Sequence, residues 1–255
     1  MKLSNTRVSQ AGNVHIERET FPDNEKISVT TPPPTLYRFM EEPYFSDFLK
    51  AGRLRICPLE SYRTEVPRSR SDPHEGLASH EFGARNLIRW IATDSYSLSF
   101  SSVPLVALQR RFGGKCLKVI NPTAFLADLD RRVRELLTRL NHPAVASVAN
   151  QVAYCDFPNF AFGDAGCAIN QAFVKPHIRP ADNHHYWIES EYRALWDLGT
   201  RDVPLRPIHI ESITLCKFLE PLEDAELTPD EAISSLSVRA YTRGDHEVWE
   251  SQHQK

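Results

Sequence analysis

The sequence predicts an α+β domain on three grounds: β-prone runs outnumber helical stripes, the longer stripes fall early in the chain, and no internal repeat stands out. A chain of 255 residues and 29.1 kDa buries roughly 70–75% of its unfolded surface as one domain, so it needs no disulfide or metal staple. Hydrophobic residues at 41% and charged residues at 25% exclude a chain disordered throughout, a collagen-like chain and a long coiled coil.

Residues 1–34 are polar, mixed in charge and end in the stiff run Thr31-Pro32-Pro33-Pro34. They are expected to form a loosely ordered N-terminal extension to a single domain over 35–255. That domain opens with the β-prone Thr35-Leu36-Tyr37-Arg38-Phe39. A helix over 44–51 follows, with Phe45, Phe48 and Leu49 on one stripe and Gly52 placed to end it in the left-handed conformation. Residues 54–57 read as a strand stopped by Pro58. Residues 61–76 carry Arg63, Arg68 and Arg70 with Pro67 and Pro73, the chemistry of a binding or lid loop. Residues 80–91 fit a helix or a strand. Over 95–102, serines alternate with Tyr96, Leu98 and Phe100, which predicts a half-buried strand with a row of hydroxyls on its other face.

Residues 116–120 form the next expected strand. Asn121 and Pro122 then supply an N-cap and a first-turn proline for a helix to about Leu140. Its apolar stripe is Phe125, Leu126, Leu129, Val133, Leu136, Leu137 and Leu140, with Arg131, Arg132 and Arg134 outward. Strands are expected over 148–157, 168–174, 187–198 and 208–218, with a polar connection at 175–185. A short helix near 229–236 and a last strand over 237–242 complete the chain.

The formal net charge of −3 argues against a duplex-binding protein that relies on a net positive field, though a local basic groove is compatible with it. Arginine supplies 22 of the basic residues against 8 lysines, and its planar fork suits phosphate and carboxylate. Five scattered cysteines without a C-x-x-C fit a reduced compartment. Residues 1–5 lack an apolar signal core, and no run reaches about 18 apolar residues. A cytoplasmic protein without membrane association is therefore expected.

The most informative stretch is Trp187-Ile188-Glu189-Ser190-Glu191-Tyr192-Arg193. On a strand, Glu189, Glu191 and Arg193 share a face, with the carboxylates about 7 Å apart. Like charges that close raise the pair's pKa while Arg193 lowers it, which suits holding a cation or steering a proton. A solvated face of an edge strand, or an amphipathic helix, accounts for the same pattern. Gly113-Gly114 lacks a phosphate-loop context and reads as a turn. His177, Asp182, His184 and His185 read as a surface loop rather than a zinc site. No metal is expected.

In order, the chain carries Leu36-Tyr37-Arg38-Phe39, Asp72-Pro73-His74-Glu75-Gly76, Ser97-Leu98-Ser99-Phe100-Ser101-Ser102, Val174-Lys175-Pro176 and Glu189 to Arg193. Across roughly residues 35–218 this resembles the R-S-E class of ADP-ribosyltransferase folds and a poorly characterised bacterial domain family with the same motif order. The resemblance implies two small, mostly antiparallel sheets around a cleft, with helices on the flanks, that holds NAD as a substrate. It implies Arg38 as a fork for the pyrophosphate, with Ser99 and Ser101 positioning the nicotinamide ribose and the carboxylate. Tyr37, or else Tyr62, is placed to stack on nicotinamide. Glu191 matches the catalytic carboxylate. Glu189 matches the residue that orients or deprotonates an acceptor such as an arginine guanidinium. Glu191→Gln is expected to abolish turnover with the fold intact. The insertion of a helix between the Ser strand and Glu189 departs from minimal transferases.

The implied activity is transfer of ADP-ribose to a protein or nucleic-acid acceptor, in the manner of a bacterial toxin or phage-defence effector. Two alternatives stand beside it. One is hydrolysis of NAD or of a nucleic-acid phosphodiester, with Arg63, Arg68 and Arg70 as a phosphate clamp. The other is a non-catalytic nucleotide sensor or interaction domain of the same fold.

Overall fold

A computed structural model describes residues 2–8, 14–19, 31–63, 77–82, 86–91, 94–155, 173–176, 178–179, 184–199 and 205–230. Two antiparallel strands, β1 (Lys2–Val8) and β2 (Val14–Glu19), pair with each other in the segment expected to be loosely ordered. Then come β3 (Leu36–Met40), α1 (Glu42–Ala51), β4 (Arg53–Pro58) and a 3-10 turn over Leu59–Arg63. Residues 80–91, open between helix and strand in the sequence, belong to the antiparallel pair β5 (Leu77–Phe82) and β6 (Asn86–Ile91). Next are β7 (Ser95–Ser101), α2 (Val106–Phe112), β8 (Lys115–Val119), α3 (Pro122–Arg139), β9 (Ala146–Gln151) and β10 (Ala153–Cys155). The short strands β11 (Val174–Pro176), β12 (Ile178–Arg179) and β13 (His184–His185) precede β14 (Glu191–Asp197). β15 (Ile208–Glu211), α4 (Ile213–Cys216) and β16 (Leu219–Leu222) follow.

The fold is α+β around an antiparallel sheet. β7 is its hub. Along one edge all seven of its residues pair with β14, from Ser95↔Asp197 to Ser101↔Glu191, and β9 lies beyond β14. The other edge is shared by two strands. β4 takes the start, with Cys57↔Ser97 and Pro58↔Tyr96, and β3 takes the end, with Tyr37↔Ser101. β15 extends the β4 arm, while β8 and β16 extend the β3 arm. Where two small sheets were expected, eight of the described strands form one sheet that splits into two arms at β7, and the remaining described strands pair two by two, β1 with β2, β5 with β6, β10 with β11 and β12 with β13. Ser99 stands at the split, between the residues paired to either arm.

Alternation along the strands sorts the two faces. Leu98, Phe100, Tyr192, Ala194 and Trp196 join Leu36, Ile56 and Val119 in the main core. The stripe Phe125, Leu126, Leu129, Val133 and Leu137 of α3 covers that face. Phe125 sits edge-on to Phe48, Phe100 and Phe218, with centroids 5.8–6.3 Å apart. A smaller cluster of Leu59, Val148, Val152, Phe173, Tyr186 and Leu195 lies on the opposite face. β7 is consequently buried on both sides rather than half-buried.

Helix ends follow the local chemistry. Asn121 accepts a hydrogen bond from the Ala124 amide, 3.2 Å, and caps α3 as its sequence position suggests. Gly52 closes α1 at φ 65°, where an added Cβ would lie 1.9 Å from the Ser212 carbonyl oxygen.

Three expectations need correction. The strand expected over 187–198 is a 3-10 turn over Tyr186–Glu189 followed by β14, because Ser190 adopts φ 41° and breaks the extended run. The strand expected over 208–218 ends at Glu211, and α4 follows it. The single strand expected over 148–157 is divided between β9 and β10. Most of the Arg-rich loop, residues 168–172 of the strand expected over 168–174, residues 231–236 of the helix expected over 229–236 and the whole strand expected over 237–242 lie outside the described residues. No helix among the described residues is long and apolar enough to cross a membrane.

Candidate active site

The split in the sheet opens into a cavity of about 240 Å³. Tyr37, Arg38, Ser99, Ser101, Glu189 and Glu191, all singled out in the sequence, line it together. Residues 37 and 191 are far apart in the chain, and β7 joins them: Ser101 is paired with Tyr37 on one edge and with Glu191 on the other.

Arg38 lies between the buried Leu36 and Met40 on the same strand face, yet its guanidinium reaches into the split and donates from Nη1 to the Ser99 carbonyl. No strand of either arm pairs with Ser99, so an arginine side chain takes the place of a ladder partner at that carbonyl. The guanidinium also lies 5.9 Å from the Phe100 ring centre. The hydroxyl of the same Ser99 donates to Oε1 of Glu191. Guanidinium and carboxylate therefore meet on one residue.

Ser101 lies beside this pair, but its hydroxyl closes a local turn, donating to the Val103 carbonyl at 2.7 Å and accepting from the Val103 amide at 3.1 Å. Of the two serines, Ser99 supplies the cleft hydroxyl.

Glu191 is 3% exposed and carries a charge in the interior. Arg193, two residues along the same face of β14, donates to Oε1 from Nε at 2.8 Å and from Nη2 at 2.7 Å. Lys175 of β11 lies 2.8 Å from Oε2. Burial works against ionisation, but Arg193 and then Lys175 outweigh it and hold the carboxyl well below its ordinary range, at about 2. Glu191 is an anion at neutral pH.

Glu189 does not share the strand. It ends the 3-10 turn, and Ser190 reorients the chain before β14 begins. Ser102 holds that turn: its amide and hydroxyl both donate to the Ser190 carbonyl, at 2.9 and 3.1 Å, and the two hydroxyls are in contact. The carboxylates still converge, because Lys175 bridges Glu189 Oε2 at 3.3 Å and Glu191 Oε2. Arg111, the penultimate residue of α2, lies 3.6 Å from Glu189 Oε1.

Lys175 and Arg111 are what the residue pattern missed. Lys175 had one signal, its place in the Val174-Lys175-Pro176 motif. Arg111 sat beside Gly113-Gly114, which both adopt positive φ and do form the expected turn, but the preceding helix was not foreseen. Among the described residues, six basic ones (Arg38, Arg53, Arg55, Arg111, Lys175, Arg193) face three acidic ones (Glu41, Glu189, Glu191) around the cavity. The described lining is net positive in a chain that is net negative. Tyr37, Tyr44, Tyr62, Phe112 and Tyr186 provide aromatic walls, and burial pushes the Tyr37 phenol up, with Cys116 and Glu226 adding to the shift.

No family model, curated protein or solved structure matches the chain.

Proposed function

We propose that the cleft binds NAD as a substrate and transfers its ADP-ribose to a macromolecular acceptor, in an ADP-ribosyltransferase-like fold of R-S-E type. The observation that carries this is the meeting of Arg38 and Glu191 on Ser99 inside a basic cavity. A pyrophosphate calls for a fixed fork of N–H donors, and the Ser99 carbonyl orients the Arg38 guanidinium from within the sheet. Cleaving the nicotinamide bond builds positive charge on the ribose, and a carboxylate that is already ionised and immobile stabilises that charge without reorganisation. Ser99 and Arg193 fix the orientation of Glu191. Tyr37 and Tyr62 offer rings for the nicotinamide.

A second reading, hydrolysis of NAD with water as acceptor, is favoured by one observation: both oxygens of Glu189 already face cations, Arg111 and Lys175, which restrains it from engaging a large acceptor group.

The test is incubation with NAD labelled in the ADP-ribose part, together with cell lysate, and measurement of nicotinamide release and of label in macromolecules. Wild type releases nicotinamide and the Glu191→Gln protein does not. Label in macromolecules means transfer, and free ADP-ribose alone means hydrolysis. No nicotinamide release from wild type sinks both.

A further inference from the structure

The E-x-E pair is neutralised from within the protein. Glu189 and Glu191 face Arg111, Lys175 and Arg193 at 2.7–3.6 Å, so three cations surround two carboxylates. The side chains of Lys175, Glu189, Glu191 and Arg193 are at most 9% exposed, and that of Arg111 is 11% exposed. Charges so little exposed are screened much less than surface charges and act strongly on anything entering beside them. Lys175 matters most, because its ammonium bridges the two carboxylates and so occupies the place a positively charged acceptor would take.

Among the described residues, a cationic acceptor would meet a net positive group with no carboxylate oxygen clear of an internal partner, and inserting a charge there without compensation costs more than the contact returns. Building on the NAD reading above, we infer that the acceptor is a neutral hydroxyl, carried by a macromolecule or by water, and that a guanidinium or ammonium is rejected, contrary to what the E-x-E motif leads one to expect. The chemistry balances. The C1′–N bond of NAD breaks with its electron pair leaving on nicotinamide, a lone pair of the hydroxyl oxygen forms the new C1′–O bond, and the hydroxyl proton passes to Glu189 and on to solvent.

Agmatine serves as the guanidinium probe and methanol as the hydroxyl probe. Each is added to wild type with labelled NAD, and products are separated by mass. Wild type is expected to yield ADP-ribose and its methyl glycoside but no agmatine adduct. Lys175→Met, which removes the bridging charge, is expected to form the agmatine adduct at least about tenfold faster than wild type. Arg111→Gln, which removes the cation facing the other oxygen of Glu189, is the parallel variant should Lys175→Met fail to fold by thermal melting. An agmatine adduct from wild type at a rate matching the methanol product overturns the inference and leaves the NAD reading standing. If wild type releases no nicotinamide at all, the NAD reading falls, and agmatine titration by calorimetry then decides the rest: uptake by wild type overturns the rejection of cations, whereas uptake by a variant alone upholds it.

Discussion

Glu191 carries two burdens at once. It is the carboxylate proposed for the chemistry, and it is also the counter-charge that lets Arg193 and Lys175 lie inside the protein. Glu191→Gln keeps the shape and removes the charge, so nicotinamide release should fall at least about 10²-fold. It should also lose about 3 kcal/mol of stability in urea unfolding, since two buried cations each lose a carboxylate, Lys175 keeping Glu189. Unchanged stability would contradict that role. The expected intact fold of this variant would therefore come with reduced stability. The pH dependence has a definite sign. Because the folded-state pKa is depressed, the stability Glu191 contributes is fully present above the usual carboxylate range and is lost as pH falls toward about 2. Acid titration of wild type should show a steeper loss between about pH 5 and 2 than that of Glu191→Gln. Asp128, also lowered to about 2 with Thr214, Arg131 and Arg132 as donors, contributes equally to both proteins and cancels in the comparison.

Among the elements, those whose ends are written in residue chemistry were legible beforehand. Asn121-Pro122 marks the start of α3 and Gly52 the end of α1, and both act as their positions suggest. Asn121→Ala should cost about 1 kcal/mol, as loss of one N-cap. Gly52→Ala should cost more, at least about 2 kcal/mol, because a positive φ combines with a backbone clash against Ser212. Denaturant midpoints measure both, and equal losses would show that the contact with Ser212 relaxes. What was not legible is the break inside the E-x-E run. Ser190 takes a positive φ that a serine seldom adopts, and the contacts that hold it come from Ser102, 88 residues away. Period-two alternation over 187–196 could not reveal a turn imposed by so distant a partner. From Tyr192 onward the same alternation reads correctly, with Tyr192, Ala194 and Trp196 in the main core.

For the molecule as a whole, the decisive feature is the division of one β7 edge between two arms. The order of motifs along the chain anticipated which residues would assemble, and all six line one cavity. It did not anticipate the branched sheet, because strand order depends on pairings between distant segments. Nor did it anticipate that α2 and β11 deliver Arg111 and Lys175 to the acidic pair. A ligand held at the split contacts both arms and should stabilise the whole fold. At a concentration 100 times its dissociation constant, NAD should add about 2.7 kcal/mol to wild type. Arg38→Gln, which removes the fork, should lose most of that gain. Equal stabilisation of both proteins would place the dinucleotide elsewhere.

The most direct measurement is a crystal structure of the Glu191→Gln protein soaked with NAD, since an inactive variant retains the uncleaved dinucleotide. Density is expected through the split in the sheet, with the pyrophosphate against Arg38 and the nicotinamide ribose beside Ser99 and position 191. NAD bound away from that split, or a cleft still empty at saturating NAD, would contradict it.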